Sequence, residues 1–115
     1  MLSRLLFVLA LSSVFSVNTA VAENCTESQA GKCFKVHGRY AIYVENNGIW
    51  VMGTNRLLST AGDKKLDDMI NDKGDWENYA IVGDFVVCPL TKYIRGHKQT
   101  VCIKSYSNLK IVKRP

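Results

Sequence analysis

The sequence predicts a mainly β fold with one short helix, arranged as a small five-stranded, partly closed barrel. Three observations lead there. Apolar residues alternate with polar ones over Phe34–Val44, and further strand-like runs follow at Ile49–Met52, Arg56–Ser59, Tyr79–Leu90 and Thr100–Lys104. One stretch, Lys64–Asn71, changes to helical spacing. That stretch falls after three strand-like runs and before the last two or three. Three strands, a helix and two further strands in under a hundred residues suit an OB-like barrel, whose helix lies between the third and fourth strands. An open antiparallel sheet with a helix across one face is the alternative.

The elements follow in order. Residues Glu23 to Lys32 are small and polar and predict an irregular lead-in. Phe34, Val36, Tyr40, Ile42 and Val44 alternate with Lys35, His37, Arg39 and Tyr43, the pattern of a strand with one buried and one wet face. Gly38 falls in the apolar phase and predicts a bend or bulge. Asn46-Asn47-Gly48 is a hairpin turn, since Asn and Gly accept positive φ, and Ile49–Met52 is the returning strand. Gly53-Thr54-Asn55 breaks the chain before a short strand, Arg56–Ser59. Ala61-Gly62-Asp63 then caps a helix over Lys64–Asn71, with Leu66, Met69 and Ile70 on its apolar stripe and Asp67 and Asp68 outside. Lys73-Gly74-Asp75 ends it. Tyr79–Leu90 is a long strand stopped by Pro89. A polar loop, Thr91–Gln99, returns the chain into Thr100–Lys104, and Ser107-Asn108 breaks this run before a last strand, Leu109–Val112.

The N-terminus predicts export. Arg4 supplies a positive charge, Leu5–Leu11 is unbrokenly apolar, and Ala20-Val21-Ala22 ends the segment with small residues. These are the parts of a secretory signal peptide, whose apolar core runs to about 7–15 residues. Cleavage is expected after Ala22. A spanning helix needs about 20 apolar residues, and Ser12, Ser13, Ser16, Asn18 and Thr19 interrupt this one. The expected organisation is therefore a cleaved leader, 1–22, and one domain, 23–115, in the periplasm or outside the cell, with no stable membrane insertion after cleavage. Removing 22 of the 115 residues leaves 93, enough for one modest core.

Cys25, Cys33, Cys88 and Cys102 all lie in the mature part. An even count in a short exported chain predicts two disulfides. No C-x-x-C pair supports a zinc site, and no metal or cofactor is expected. Three pairings are open. If Tyr79–Leu90 and Thr100–Lys104 form a hairpin, Cys88 lies opposite Cys102, Val87 opposite Ile103 and Phe85 opposite Ser105, which favours Cys88–Cys102 with Cys25–Cys33. The rival, Cys33–Cys102, would tie the first strand to the fifth; Cys33–Cys88 with Cys25–Cys102 is the third arrangement. Charge is uneven. Residues 23–90 carry seven Lys/Arg against ten Asp/Glu, whereas Thr91–Pro115 carries seven Lys/Arg and no acid. Such a tail attracts acidic partners or simply keeps strand faces solvated.

Four blocks share a further pattern: Cys33-Phe34-Lys35-Val36-His37-Gly38-Arg39, Gly53-Thr54-Asn55-Arg56-Leu57-Leu58, Gly83–Thr91 with its GDFVVCPLT, and Gly96–Ile103 with its GHKQTVCI. In this order they resemble a group of small exported proteobacterial proteins of unknown function. The likeness spans most of the mature chain and implies a periplasmic or secreted location. It brings no catalytic residues with it, and Cys25 lies outside its blocks.

Two classes of function compete. A ribonuclease-like phosphodiester hydrolase would use the only histidines, His37 and His97, as base and acid, with Lys98 steadying the phosphate. A binding module would use one sheet face and its loops to hold a glycan, peptide or protein. Tyr43, Trp50 and Tyr93 would stack on the ligand, as would Trp76 if it is not core, with Arg39 and Arg95 supplying charge. An inhibitor of a host hydrolase and a receptor-binding subunit of a toxin are specific versions of this second class. The binding module is preferred, with a protein or glycan as partner; export disfavours nucleic acid.

Overall fold

A computed structural model of the chain describes residues 25–44 and 47–115. The expected leader, its cleavage site and residues Glu45 and Asn46 of the first turn lie outside the described residues. Five strands, β1 (Phe34–Ile42), β2 (Asn47–Val51), β3 (Leu57–Thr60), β4 (Tyr79–Pro89) and β5 (Gln99–Lys113), form a ring in the order β1-β2-β3-β5-β4. Helix α1 (Lys64–Asn71) and a single 3-10 turn (Trp76–Asn78) lie between β3 and β4. This is the expected mainly β, OB-like order, but the ring is not an even barrel. The β1–β4 and β4–β5 ladders are long and antiparallel, whereas β3 joins β5 in parallel through two pairs, Leu58↔Gln99 and Ser59↔Thr100. The long strands thus form a curved antiparallel sheet, pinched shut along a short seam.

The interior is filled by the alternating residues of the strands: Val36 and Tyr40 of β1, Ile49 of β2, Leu58 of β3, Ile81, Phe85 and Val87 of β4, and Val101 and Ile103 of β5. Leu66 and Ile70 of α1 join the same cluster. They lie one turn apart on the helix, so one face is buried while Lys64, Lys65 and Asp68 stay in water. The helix begins where expected because the Asp63 carboxylate accepts from the Leu66 backbone N–H at 3.0 Å.

Several local expectations are corrected. Asn47 and Gly48 belong to β2 and not to the turn, opposite Ile42 and Ala41 of β1. Arg56 precedes β3 and is not part of it. Gly38 marks no bulge, because the β1–β4 ladder runs through it in register and the β1–β2 ladder reaches it without a shift. Its role is close approach: a Cβ there would stand 2.6 Å from the Trp50 carbonyl oxygen and from the Ile49 side chain. The irregularities fall instead between β4 and β5, at Val82/Asp84 and Val86/Val87. The second bulge moves Phe85 opposite Tyr106, and Ser105 pairs with Val86. The first takes up Asn108 and Leu109 while Ser107 pairs with Asp84, so β5 continues without a break; Asn108 takes φ 56°, a left-handed conformation that Asn tolerates well.

The disulfides also differ from the favoured pairing. Cys88 and Cys102 do face each other across the β4–β5 ladder, and Val87 faces Ile103. The bonds nevertheless join Cys33 to Cys88 and Cys25 to Cys102, the third arrangement. The reason is geometric. Phe34 pairs with Val87 in the β1–β4 ladder, so Cys33, one residue earlier, arrives opposite Cys88 from the other side, with the two Cα atoms 4.0 Å apart. Cys88 thus has a cysteine on each flank. The lead-in turns back through a Ser28–Gly31 bridge, with Ser28 Oγ donating to the Pro89 carbonyl, and delivers Cys25 to Cys102. Two disulfides, and the absence among the described residues of any helix long and apolar enough to cross a membrane, are compatible with an exported protein.

Tyr40 ties the helix to the ring. Its hydroxyl donates to Asp67 at 2.6 Å and accepts from the Asn47 side chain and the Asp63 backbone N–H at 2.8 and 3.1 Å. Asn47 also donates to Asp67 at 2.9 Å, so Asp67 turns toward the ring and not outward as its position in the helical pattern suggests. Burial, and then the bond to the Asp67 carboxylate, raises the Tyr40 pKa far above its ordinary 10.0. The neutral phenol therefore contributes stability that is full below pH 10.0 and is lost as pH rises toward the folded-state value. Tyr40→Phe keeps the ring but leaves Asp67, Asn47 and the Asp63 N–H short of a partner, and should cost about 1–3 kcal/mol. Thermal melts of the two proteins should differ by about 4–8 °C per kcal/mol at neutral pH, and the gap should narrow above pH 10.0. A constant gap at all pH values would contradict this account.

Candidate binding groove

The short seam between β3 and β5 leaves a groove beside it. A cavity of about 620 Å³ opens between the β2–β3 connection and the β4–β5 loop, lined by Trp50 of β2, Thr54, Asn55, Arg56 and Leu57 on one side and Tyr93, Gly96, His97, Lys98 and Gln99 on the other. Both walls are tight turns. Gly53 takes φ 82°, Thr54 Oγ1 donates to the Val51 carbonyl and accepts from Arg56 N–H, and the Arg56 carbonyl closes the turn onto Val51 N–H. Across the groove, Gly96 takes φ 86° and His97 N–H donates to the Ile94 carbonyl. At the base of that loop Leu90 and Thr91 donate to the Thr100 carbonyl, and Thr100 N–H returns a bond to Thr91 Oγ1.

Arg56 is the fixed point of the groove. Its guanidinium lies over the rings of Tyr93 and Phe34, 4.7 and 5.3 Å from their centroids. Its Nη2 donates to Gln99 Oε1, and buried Gln99 donates in turn to the Thr91 carbonyl at 3.0 Å. Its Nε is buried without a hydrogen-bond partner. An unsatisfied buried donor costs about 1–3 kcal/mol, more when it belongs to a charged group. Arg56 and Lys98 bring two positive charges and His97 an imidazole ring, and among the described residues no acidic one lines this cavity. The field inside therefore has one sign.

The residues expected to bind fall in two neighbouring places. Arg39 lies opposite Trp50 in the β1–β2 ladder, and with Tyr43, Arg114 and Pro115 they line a smaller cavity of about 210 Å³. Here the Arg114 guanidinium covers the Tyr43 ring at 4.9 Å and donates to the Ile42 carbonyl. Trp50 belongs to both cavities, and Tyr93 joins it in the larger one. Arg95 is exposed and lines neither. Trp76 packs partly buried against the core cluster, away from both. Arg56, Gln99 and Arg114 were missed. Arg56 reads as a strand residue in the sequence, and the only signal beside it is the Gly53-Thr54-Asn55 break that precedes it.

The two histidines are not brought into one site. His97 and Lys98 line the groove, whereas His37 stands on the outer face of β1, its Nδ1 2.9 Å from Asp84 of β4 directly across the ladder. Asn108 donates to the other carboxylate oxygen of Asp84 at 2.8 Å. The sulfurs of Cys25, Cys88 and Cys102 cluster within 4.8 Å, but they belong to the two bridges and offer no thiolate to a cation. Compared with protein-family profiles, curated proteins and solved structures, the chain shows no match.

The amide of Asn108 first, and the ring of His37 second, hold the Asp84 carboxyl below its ordinary 3.8. A depressed carboxyl contributes stability above its unfolded pKa and loses it as pH falls through the folded one. Carboxyl NMR titration should place Asp84 below 3.8, and Asn108→Ala should move it back upward more than His37→Ala does. An Asp84 that titrates at or above 3.8 in the wild type would contradict the pairing.

Proposed function

We propose that the chain is an exported binding module, acting in the periplasm or outside the cell, and that the groove between the β2–β3 connection and the β4–β5 loop holds its ligand. One observation carries the reading: a cavity of about 620 Å³ whose central cation, Arg56, is already clamped between two aromatic rings and a buried glutamine. A site of this size takes a drug-sized ligand or a short segment of a polymer. The immobilised Arg56 lowers the ordering cost of binding. Export is supported by the leader-like N-terminus and by two disulfides.

The ribonuclease-like reading draws less support, because it needs two histidines on one phosphate and His37 is engaged with Asp84 outside the groove. An inhibitor of a host hydrolase or a receptor-binding toxin subunit would be a binding module of this kind with a protein or glycan partner.

Glycan and peptide arrays probed with the unreduced protein test the reading. Ligands captured by the wild type should be lost with Trp50→Ala and with Tyr93→Ala, each weakening binding by about tenfold or more. Asp84→Asn, on the outer face, should bind as the wild type does. Capture that survives both groove substitutions, or cleavage of RNA by the wild type that His97→Ala abolishes, would overturn the proposal.

A further inference from the structure

We infer that the ligand of this groove is an acidic saccharide, one whose carboxylate or sulfate group meets Arg56 and Lys98 while a sugar ring lies on an aromatic side chain; the inference rests on the binding reading above. Three features of the groove converge on it. Its charged side chains are cationic, without a carboxylate among the lining residues, so a neutral ligand would leave that field unanswered. Arg56 lines the groove and is held in place by the Tyr93 and Phe34 rings and the Gln99 amide oxygen, so an anionic oxygen meets a charge already ordered. The flanking side chains are flat: Trp50 is half-buried, and Tyr93 remains 57% exposed although Arg56 lies over its ring. An amphipathic ring such as a pyranose presents an apolar face to such surfaces and hydroxyls to the exposed Asn55 amide.

An acidic peptide fits less well. Extended peptides commonly bind by adding a strand to a free sheet edge. Here the strand residues that line the groove are already paired, Trp50 to Arg39 and to Leu57, and Gln99 to Leu58, so the groove offers no run of free strand backbone. A single-stranded nucleic acid shares the combination of stacking and cations. The leader-like N-terminus directs the chain away from it.

The experiment uses the folded, unreduced protein carrying Trp76→Phe, which leaves Trp50 as the sole tryptophan and therefore the sole indole reporter. Its fluorescence is titrated with a galacturonate tetrasaccharide, a sulfated heparin tetrasaccharide, neutral maltotetraose, an acidic peptide and a short oligodeoxythymidine. One or both acidic saccharides should saturate the Trp50 signal, at least about tenfold more tightly than maltotetraose. Added salt should weaken binding, as it does for any charge-driven contact, and Lys98→Glu should weaken it by about tenfold again. Which of the two responds identifies the anion as carboxylate or sulfate. Equal binding of maltotetraose, or tighter binding of the peptide or the oligonucleotide, would overturn the acidic saccharide while keeping the groove as a binding site. Silence of Trp50 toward every probe would overturn the inference also, and the array experiment then decides the binding reading separately.

Discussion

Cys88 lies in a row of three cysteines, with Cys33 arriving on its β1 side and Cys102 facing it on β5. It bonds to the first, and the lead-in folds over the end of β4 to bring Cys25 to the second. The bridges close chain segments of 77 and 55 residues, each stabilising the fold by about 4 kcal/mol on a chain-entropy estimate. Their position matters as much as their strength. Cys88 is two residues before the start of the β4–β5 loop, and Cys102 follows shortly after its end, so both bases of the loop that carries Tyr93, His97 and Lys98 are anchored. Phe34, whose ring lies under Arg56, is the neighbour of Cys33. The β4–β5 wall of the groove is thus a few residues from a covalent link at each base, and the other wall meets one only through the contact of Arg56 with Phe34.

The opposite end is held by polar contacts. Tyr40, Asn47, Asp63 and Asp67 bring β1, β2 and the start of α1 to one hydroxyl. A phenol in that position packs its ring beside Phe85 and still satisfies three polar partners at the rim. Gly62 fits there because a Cβ would come within 2.9 Å of the Asn47 amide, in addition to its φ of +105°. Covalent ties at one end and a polar cluster at the other leave the short β3–β5 seam as the least constrained part of the ring, and the groove runs beside it.

Much of this was legible in the residues. The period of two marked β1, a β-rich run ended by Pro89 marked β4, and the cap and apolar stripe marked α1 to the residue, because these signals are local. What escaped depended on neighbours that sequence does not order. Ser107-Asn108 reads as a break, yet β4 supplies partners on both sides of it, and a bulge costs less than ending the ladder. Asp67 reads as solvated, and only the fold brings Tyr40 to it. The hairpin register correctly set Cys88 against Cys102, but β1 brought a second cysteine just as near. Trp50 and Tyr93, expected from their type to stack on a ligand, line the larger cavity, whereas Tyr43 and Trp76, expected on the same ground, do not. Arg56 was not, since its distinction is the pair of rings and the glutamine around it.

The row of cysteines is the claim on which the anchored groove stands, and tryptic mapping of the unreduced protein measures it directly. Lys32 separates Cys25 from Cys33, and Lys92, Arg95 and Lys98 separate Cys88 from Cys102, so each cysteine falls on its own peptide. The account predicts one linked pair joining the Cys33 and Cys88 peptides and another joining those of Cys25 and Cys102. A linked pair of the Cys88 and Cys102 peptides, with Cys25 joined to Cys33, would contradict it.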